Sequence, residues 1–151
     1  SYLLKYDIAE FRVAGTLVST AYTALGFTNY DRFPGTVSRW RANAYAEYSF
    51  GPHNLRTDVT FVDGAVDNRA PINVQDTTAA VRPVLFALRV EDFYSVDLNY
   101  RLQLPWDTTL TASVFNLLDR DPSAARLEIS YDPFLGNPYG RSFKVGVKKK
   151  F

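Results

Sequence analysis

Apolar and polar residues alternate one by one through several stretches of the chain, and a period of two is the mark of a β-strand. Across residues 37–50, Trp40, Ala42, Ala44, Ala46, Tyr48 and Phe50 share one face, with Arg39, Arg41, Asn43, Tyr45, Glu47 and Ser49 on the other. Gly51-Pro52-His53-Asn54 then reads as a turn, and Leu55, Thr57, Val59 and Phe61 alternate with Arg56, Asp58, Thr60 and Val62. A two-residue loop at Pro52-His53 predicts Phe50 opposite Leu55, Tyr48 opposite Thr57 and Ala44 opposite Phe61, with Glu47 facing Asp58. That register keeps the apolar residues together. A second hairpin repeats the test. Tyr94, Val96, Leu98, Tyr100, Leu102 and Leu104 lead into Pro105-Trp106-Asp107, and Leu110, Ala112 and Val114 follow. The apolar positions are even-numbered on both strands, so only an odd loop matches the faces. Three residues predict Leu102 opposite Leu110, Tyr100 opposite Ala112 and Leu98 opposite Val114. A last strand is predicted over residues 140–151, with Phe143, Val145, Val147 and Phe151 on one face.

The apolar face is predicted to meet lipid. Aromatic rings mark its ends, with Trp40 at one and Tyr48 and Phe50 at the other, and small alanines between. Ten residues at ~3.3 Å each, tilted by ~45°, span about 23 Å, close to the ~25 Å apolar band of outer-membrane barrels. Trp106 sits in a turn, where an interfacial anchor is useful, and Tyr94 opens its strand at the opposite end. The other face carries Arg39, Arg41, Glu47, Arg56, Asp58, Asp97 and Arg101, suited to a wet lumen or to a plug packed inside it. Connections alternate between short turns and segments of about twenty residues or more, the rhythm of short periplasmic turns and long extracellular loops.

Composition narrows the alternatives. A net charge of +1 in 151 residues gives no field that points to nucleic acid. No apolar run reaches the ~18 residues of a spanning helix, a test that strands escape. The absence of Cys excludes disulfides and thiolate metal sites. Neither Met nor a signal peptide opens the chain, and Ser1 begins in mid-pattern, which predicts a longer polypeptide cut within a strand that runs to Ile8.

Several elements together resemble the C-terminal end of a TonB-dependent outer-membrane receptor. They are Asp97-Leu98-Asn99-Tyr100, residues 110–119 with Arg120-Asp121-Pro122, Tyr131-Asp132-Pro133, Gly140-Arg141-Ser142-Phe143 and the terminal Phe151. Trp40-Arg41-Ala42-Asn43, Gly51-Pro52-His53-Asn54 and the opening Tyr2-Leu3-Leu4-Lys5-Tyr6-Asp7 join them. The resemblance spans nearly the whole chain. It implies an all-β, antiparallel transmembrane barrel segment, about the last five or six strands of a 22-stranded barrel with long extracellular loops. Residues 1–151 would belong to that barrel, without its plug or earlier strands.

The implied function is energy-coupled nutrient uptake in the outer membrane of a Gram-negative bacterium. The implied partners are membrane lipid, the rest of the barrel and its plug, the TonB complex acting through that plug, the barrel assembly machinery, and a small nutrient (an iron chelate, a cobalamin, an oligosaccharide or a peptide). Phe143, Val145, Val147 and Phe151 would form the assembly signal, from which Lys149 departs by standing at an outward position. No cofactor is implied, and no catalytic role is expected: His53, the one histidine, reads as a solvated turn residue. The long loops carry Phe27, Tyr30, Arg32, Phe33, Asp67, Arg69, Arg126, Tyr131 and Phe134. Such side chains suit ligand capture and suit loop packing equally, so no substrate-binding residue is assigned. A passive porin-like barrel and a soluble β-sandwich binding module remain the alternatives.

Overall fold

The structure, a computed structural model, describes residues 1–75 and 81–150. Phe151, expected on the closing strand, lies outside the described residues. Regular structure is all β, with no helix among the described residues. In chain order the strands are β1 (Asp7–Ile8), β2 (Phe11–Val13), β3 (Thr16–Ser19), β4 (Tyr22–Thr23), β5 (Arg41–Phe50), β6 (His53–Val62), β7 (Ala65–Val66), β8 (Ile72–Gln75), β9 (Val81–Val84), β10 (Arg89–Val90), β11 (Phe93–Leu104), β12 (Thr108–Phe115) and β13 (Ser142–Lys149). The five long ones form a single antiparallel sheet in the order β13-β12-β11-β6-β5.

Alternation in sequence becomes rows in the sheet. Tyr48, Leu55, Tyr100, Ala112 and Val145 lie side by side across the five strands, and Ala46, Thr57, Leu98, Val114 and Phe143 form the next row. On the reverse face Glu47, Arg56, Asn99, Ser113 and Lys144 make one row, and Ser49, Asn54, Arg101, Thr111 and Gly146 another. Lateral neighbours of like character are what stabilises a sheet, at about 0.2–1 kcal/mol per favourable pair.

The second hairpin has the predicted register, with Leu102 opposite Leu110, Tyr100 opposite Ala112 and Leu98 opposite Val114. The first does not. Phe50 meets His53 and Tyr48 meets Leu55, so the pairing is displaced by two residues. The cause is proline. A tight hairpin turn needs a positive φ at its first central position, which the ring of Pro52 forbids. Gly51, at φ 54°, takes that position and Pro52 follows it. A displacement of two leaves every face unchanged but exchanges partners: Glu47 now lies opposite Arg56, and Asp58 opposite Tyr45.

The opening residues run beside β5 only briefly. Tyr2 bridges Trp40, the Leu3 N–H donates to the Arg39 carbonyl at 2.8 Å, and the Arg41 N–H donates to the Ser1 carbonyl at 2.9 Å. The strand predicted to reach Ile8 ends sooner. Asp7 and Ile8 turn away and pair with Thr23 and Tyr22.

The sheet is a single layer. Val145 is 79% exposed, Val147 69% and Tyr48 67%. Ala44 and Val59 are exposed too, and Leu98 is half-buried. The packed core lies elsewhere, where Val62, Ala65, Val90, Ala125 and Leu135 cluster with Tyr30 against them. These residues belong to the long connections and adjoining strand ends. Segments 1–40 and 116–141 and the described residues of 63–92 meet the same end of the sheet, and the turns after Phe50 and Leu104 lie at the other. The loop end is therefore a cap with its own interior. Small hairpins furnish it: β2 with β3, β7 with β10 and β8 with β9.

Candidate functional site

Each loop of the cap is shaped by polar side chains that satisfy backbone groups. Asn29 adopts φ 47°, a conformation that costs asparagine less than most residues. Its side-chain amide donates to the carbonyls of Ala24 (3.0 Å), Phe27 (3.2 Å) and Gly35 (3.0 Å), closing the loop around itself. Asn116, at φ 50°, closes the turn after β12: its Nδ2 donates to the Arg120 carbonyl at 2.9 Å and its Oδ1 accepts from the Arg120 N–H at 3.0 Å. Asp97 accepts the Asn116 N–H at 2.9 Å, and Asp119 accepts the Arg141 N–H at 2.7 Å. The residues quoted above as 116–122 and 140–143 thus meet in space.

Two carboxylates join the loops to one another. Asp67, whose side chain is wholly buried, takes Arg69 at 2.8 Å and Arg126 at 2.7 Å. Arg126 also donates to the carbonyls of Ala70 and Arg69, and Arg69 donates back to the carbonyl of Arg126. Burial pushes the Asp67 carboxyl upward, but hydrogen bonds from the two arginines outweigh it and hold the group at about 2. Asp132, 1% exposed, accepts from the Tyr30 hydroxyl at 2.8 Å, from the Thr36 hydroxyl and from the Phe134 N–H. Burial raises the Tyr30 phenol, and the bond to Asp132 raises it further. The Arg69 guanidinium stacks over Tyr30 at 4.8 Å and so connects the two carboxylate centres.

Between these loops opens a cleft of about 600 Å³, within the usual size of a small-molecule site. Asn29, Arg32, Glu128, Ile129, Asp132 and Phe134 are among its lining residues. Phe134 is 62% exposed, and the Asn29 Oδ1 is buried without a hydrogen-bond partner. Both charges and an aromatic face suit a small polar ligand with apolar surface. No group of three His, Cys, Asp or Glu side chains is placed to hold a metal among the described residues.

Two expected outcomes follow from the carboxylates. Asp67 folds with its carboxyl at about 2 against 3.8 for the free group. The depressed value means that the stabilisation is complete above the free value and is lost as pH falls through the folded one. It amounts to about 2 kcal/mol. Amide exchange in segments 63–70 and 124–136 should therefore hold steady from pH 7 to about 5, then weaken by that amount as pH approaches 2. Asp132→Asn keeps the shape but removes the charge from an acceptor shared by Tyr30 and Thr36. Protection of the Leu135 and Gly136 amides, which donate to the Asp132 carbonyl, should drop by about 2 kcal/mol.

The residues predicted from sequence fall into three places. Tyr48, Phe50 and Trp106 ring the turn end, while Trp40 and Tyr94 lie at the loop end on the same sheet face. Trp40 packs on Phe61 with 4.6 Å between ring centroids, and the Arg120 guanidinium covers Tyr94 at 4.0 Å. Phe143, Val145 and Val147 stand exposed on that face. Of the lumen candidates, Glu47, Arg56, Asp58 and Arg101 share the polar face, where Arg56 and Asp58 pair at 2.6 Å. Arg41 instead donates to the Phe134 carbonyl at 2.9 Å, and Asp97 is occupied by Asn116. The Arg39 guanidinium packs over Gly26, its Nε 2.8 Å from where a Cβ on that residue would stand. His53 is not a solvated turn residue: it is half-buried in β6, stacked on Phe50 at 4.8 Å.

The cleft brings together Tyr30, Arg32, Arg69, Arg126 and Phe134, which sequence left as unassigned loop residues. Asn29, Thr36 and Asp132 were missed. Only Asp132-Pro133 carried a local turn signal, and such a signal does not reveal partners a hundred residues away. No protein-family model, curated protein or solved structure matches the chain.

Proposed function

We propose that this chain forms wall and loops of an energy-coupled outer-membrane receptor for nutrient uptake, of the TonB-dependent kind. The observation that carries the reading is the exposed apolar sheet face, bounded at both ends by aromatic rings and backed by a polar face. In water such a face would be a large aggregation liability. Against acyl chains it is the stable arrangement, because lateral pairing in a closed barrel satisfies each backbone group. The two edges of this sheet then join further strands of the same wall.

The polar face would line the lumen and meet a plug. Glu47, Arg56, Asp58 and Asn99 lie close together there and offer charge-assisted hydrogen bonds to such a partner. The capped loops would stand outside the cell, with the cleft between residues 29–36 and 126–134 as the entry point for a nutrient. Binding there would be followed by remodelling of the plug, driven by the TonB complex. The chain contributes positioning and no covalent chemistry.

A porin-like barrel shares the strand argument, and the contents of the lumen separate the two. A photoreactive phenylalanine analogue at Ser113, on the polar face, should cross-link in the outer membrane to a peptide of the same polypeptide that precedes the barrel. A lumen holding only water and ions would give no protein adduct, and the receptor reading would then yield to the porin.

A further inference from the structure

A second cavity, of about 430 Å³, opens on the polar face at the loop end of the sheet. Its floor is made by the ends of β11, β12 and β13, through Ser95, Asp97, Phe115 and Ser142. Its wall is the segment 137–140, and that wall is fixed. The Tyr139 N–H donates to the Asn137 Oδ1 at 3.0 Å, Gly140 turns the chain at φ 60°, and Asp119 accepts the Arg141 N–H at 2.7 Å. A space of this size encloses a small organic group.

The lining has one sign of charge. Among the described residues Asp97 is the one charged side chain on it. Its Oδ1 accepts the Asn116 N–H at 2.9 Å, and no hydrogen bond reaches its Oδ2 from the described residues. Holding one backbone N–H does not require a charge, since an asparagine oxygen would do the same. Arg56, on the adjoining strand, is committed to Asp58 at 2.6 Å and leaves Asp97 without a counter-charge. The rings of Phe93, Phe115 and Tyr139 line the same space, and aromatic faces attract organic cations. An anion would be repelled here, and a neutral group would forgo the charge-assisted bond.

We propose that this cavity is a binding site for an organic cation, a guanidinium or an alkylammonium group, whose N–H groups donate to the Asp97 Oδ2 with the rings of Phe115 and Tyr139 against it. The Asn116 N–H holds the carboxylate in place, so the acceptor is set before the cation arrives. The cation can belong to a small solute or to an arginine or lysine side chain of a partner packed on the polar face. Binding here does not depend on what touches the apolar face, so its failure leaves the membrane reading intact.

Phe115-Asn116 is the one Phe-Asn step in the sequence, so carbonyl-labelled phenylalanine with nitrogen-15 asparagine marks a single amide, the one that Asp97 accepts. Titration of the full chain in detergent micelles with ethylguanidinium should move this resonance to saturation. Uncharged ethylurea should bind about tenfold more weakly. Asp97→Asn, which keeps an acceptor for the Asn116 N–H, should bring the two probes to the same affinity. Tyr139→Leu, at a side chain 84% exposed, should weaken ethylguanidinium about threefold. Absence of a response, or an equal response to ethylurea, overturns the site. Unchanged preference for the cation in Asp97→Asn overturns its assignment to this carboxylate; should that variant fail to fold, the probe ratio and Tyr139→Leu decide. The blocked peptide acetyl-Gly-Arg-Gly-amide separates the two sources: binding as tight as that of ethylguanidinium supports a partner side chain, and exclusion supports a small free cation.

Discussion

Asp67→Ala is expected to open the loop cap, at a local cost of about 3–5 kcal/mol, because it leaves buried guanidinium charge without its partner. The Arg126 side chain is only 8% exposed and that of Asp67 is wholly buried, so water cannot stand in for the missing carboxylate. Arg69 is 31% exposed and can turn outward; Arg126 cannot without leaving the carbonyls of Arg69 and Ala70. The consequence is confined to the cap. Amides such as those of Asp67 and Ala125, bonded to the Leu88 and Ser130 carbonyls, should lose most of their protection from exchange. The β6–β11 ladder should keep its own. Cap amides that stay protected in Asp67→Ala would mean that the ion pairs are incidental to the packing around Leu135 and Val90.

Gly64→Ala should be nearly as damaging, for a steric reason. A Cβ at Gly64 would stand 2.3 Å from the Val90 carbonyl oxygen, 2.8 Å from the Glu91 carbonyl carbon and 2.9 Å from the Asp92 nitrogen. All three are backbone atoms, so no rotamer change relieves the clash. The β7–β10 pair must separate, at about 3 kcal/mol, and trypsin should then cut at Arg69 and Arg89. Gly51→Ala offers the contrast. Nothing lies within 4 Å of its added Cβ, and the cost is the positive φ alone, about 1 kcal/mol. Equal resistance of Gly64→Ala and the parent protein to trypsin would contradict the close approach of these strands.

The sheet was legible because its information is local and repeats every second residue. Fourteen lateral partners of β11 and β12 follow from parity together with a three-residue turn at 105–107, and all seven pairs of that hairpin agree with them. The first hairpin failed by two residues because the parity argument is blind to even displacements. Backbone chemistry at Gly51 and Pro52 had to decide, and the expected loop put proline where its ring cannot go. The cap was not legible. Asp132 reaches Thr36 and Tyr30 across 96 and 102 residues, and Asp67 reaches Arg126 across 59. Periodicity says nothing about partners at such distances, and the composition of these loops fits packing and binding alike. His53 was misread for the same reason. Its neighbour Pro52 speaks for a turn, while the contact that defines it comes from Tyr100 on another strand.

A lipid-facing wall requires that acyl chains touch the even-numbered side chains of β11. The chain contains no cysteine, so spin labels placed one at a time at positions 96 to 100 report single sites. In bilayers, labels at Val96, Leu98 and Tyr100 should be open to dissolved oxygen and closed to a water-soluble nickel complex, and labels at Asp97 and Asn99 should show the reverse. Low access to both reagents at 96 and 98 would reveal a covering layer of protein, and ready nickel access there would reveal water; either result contradicts a lipid-facing wall.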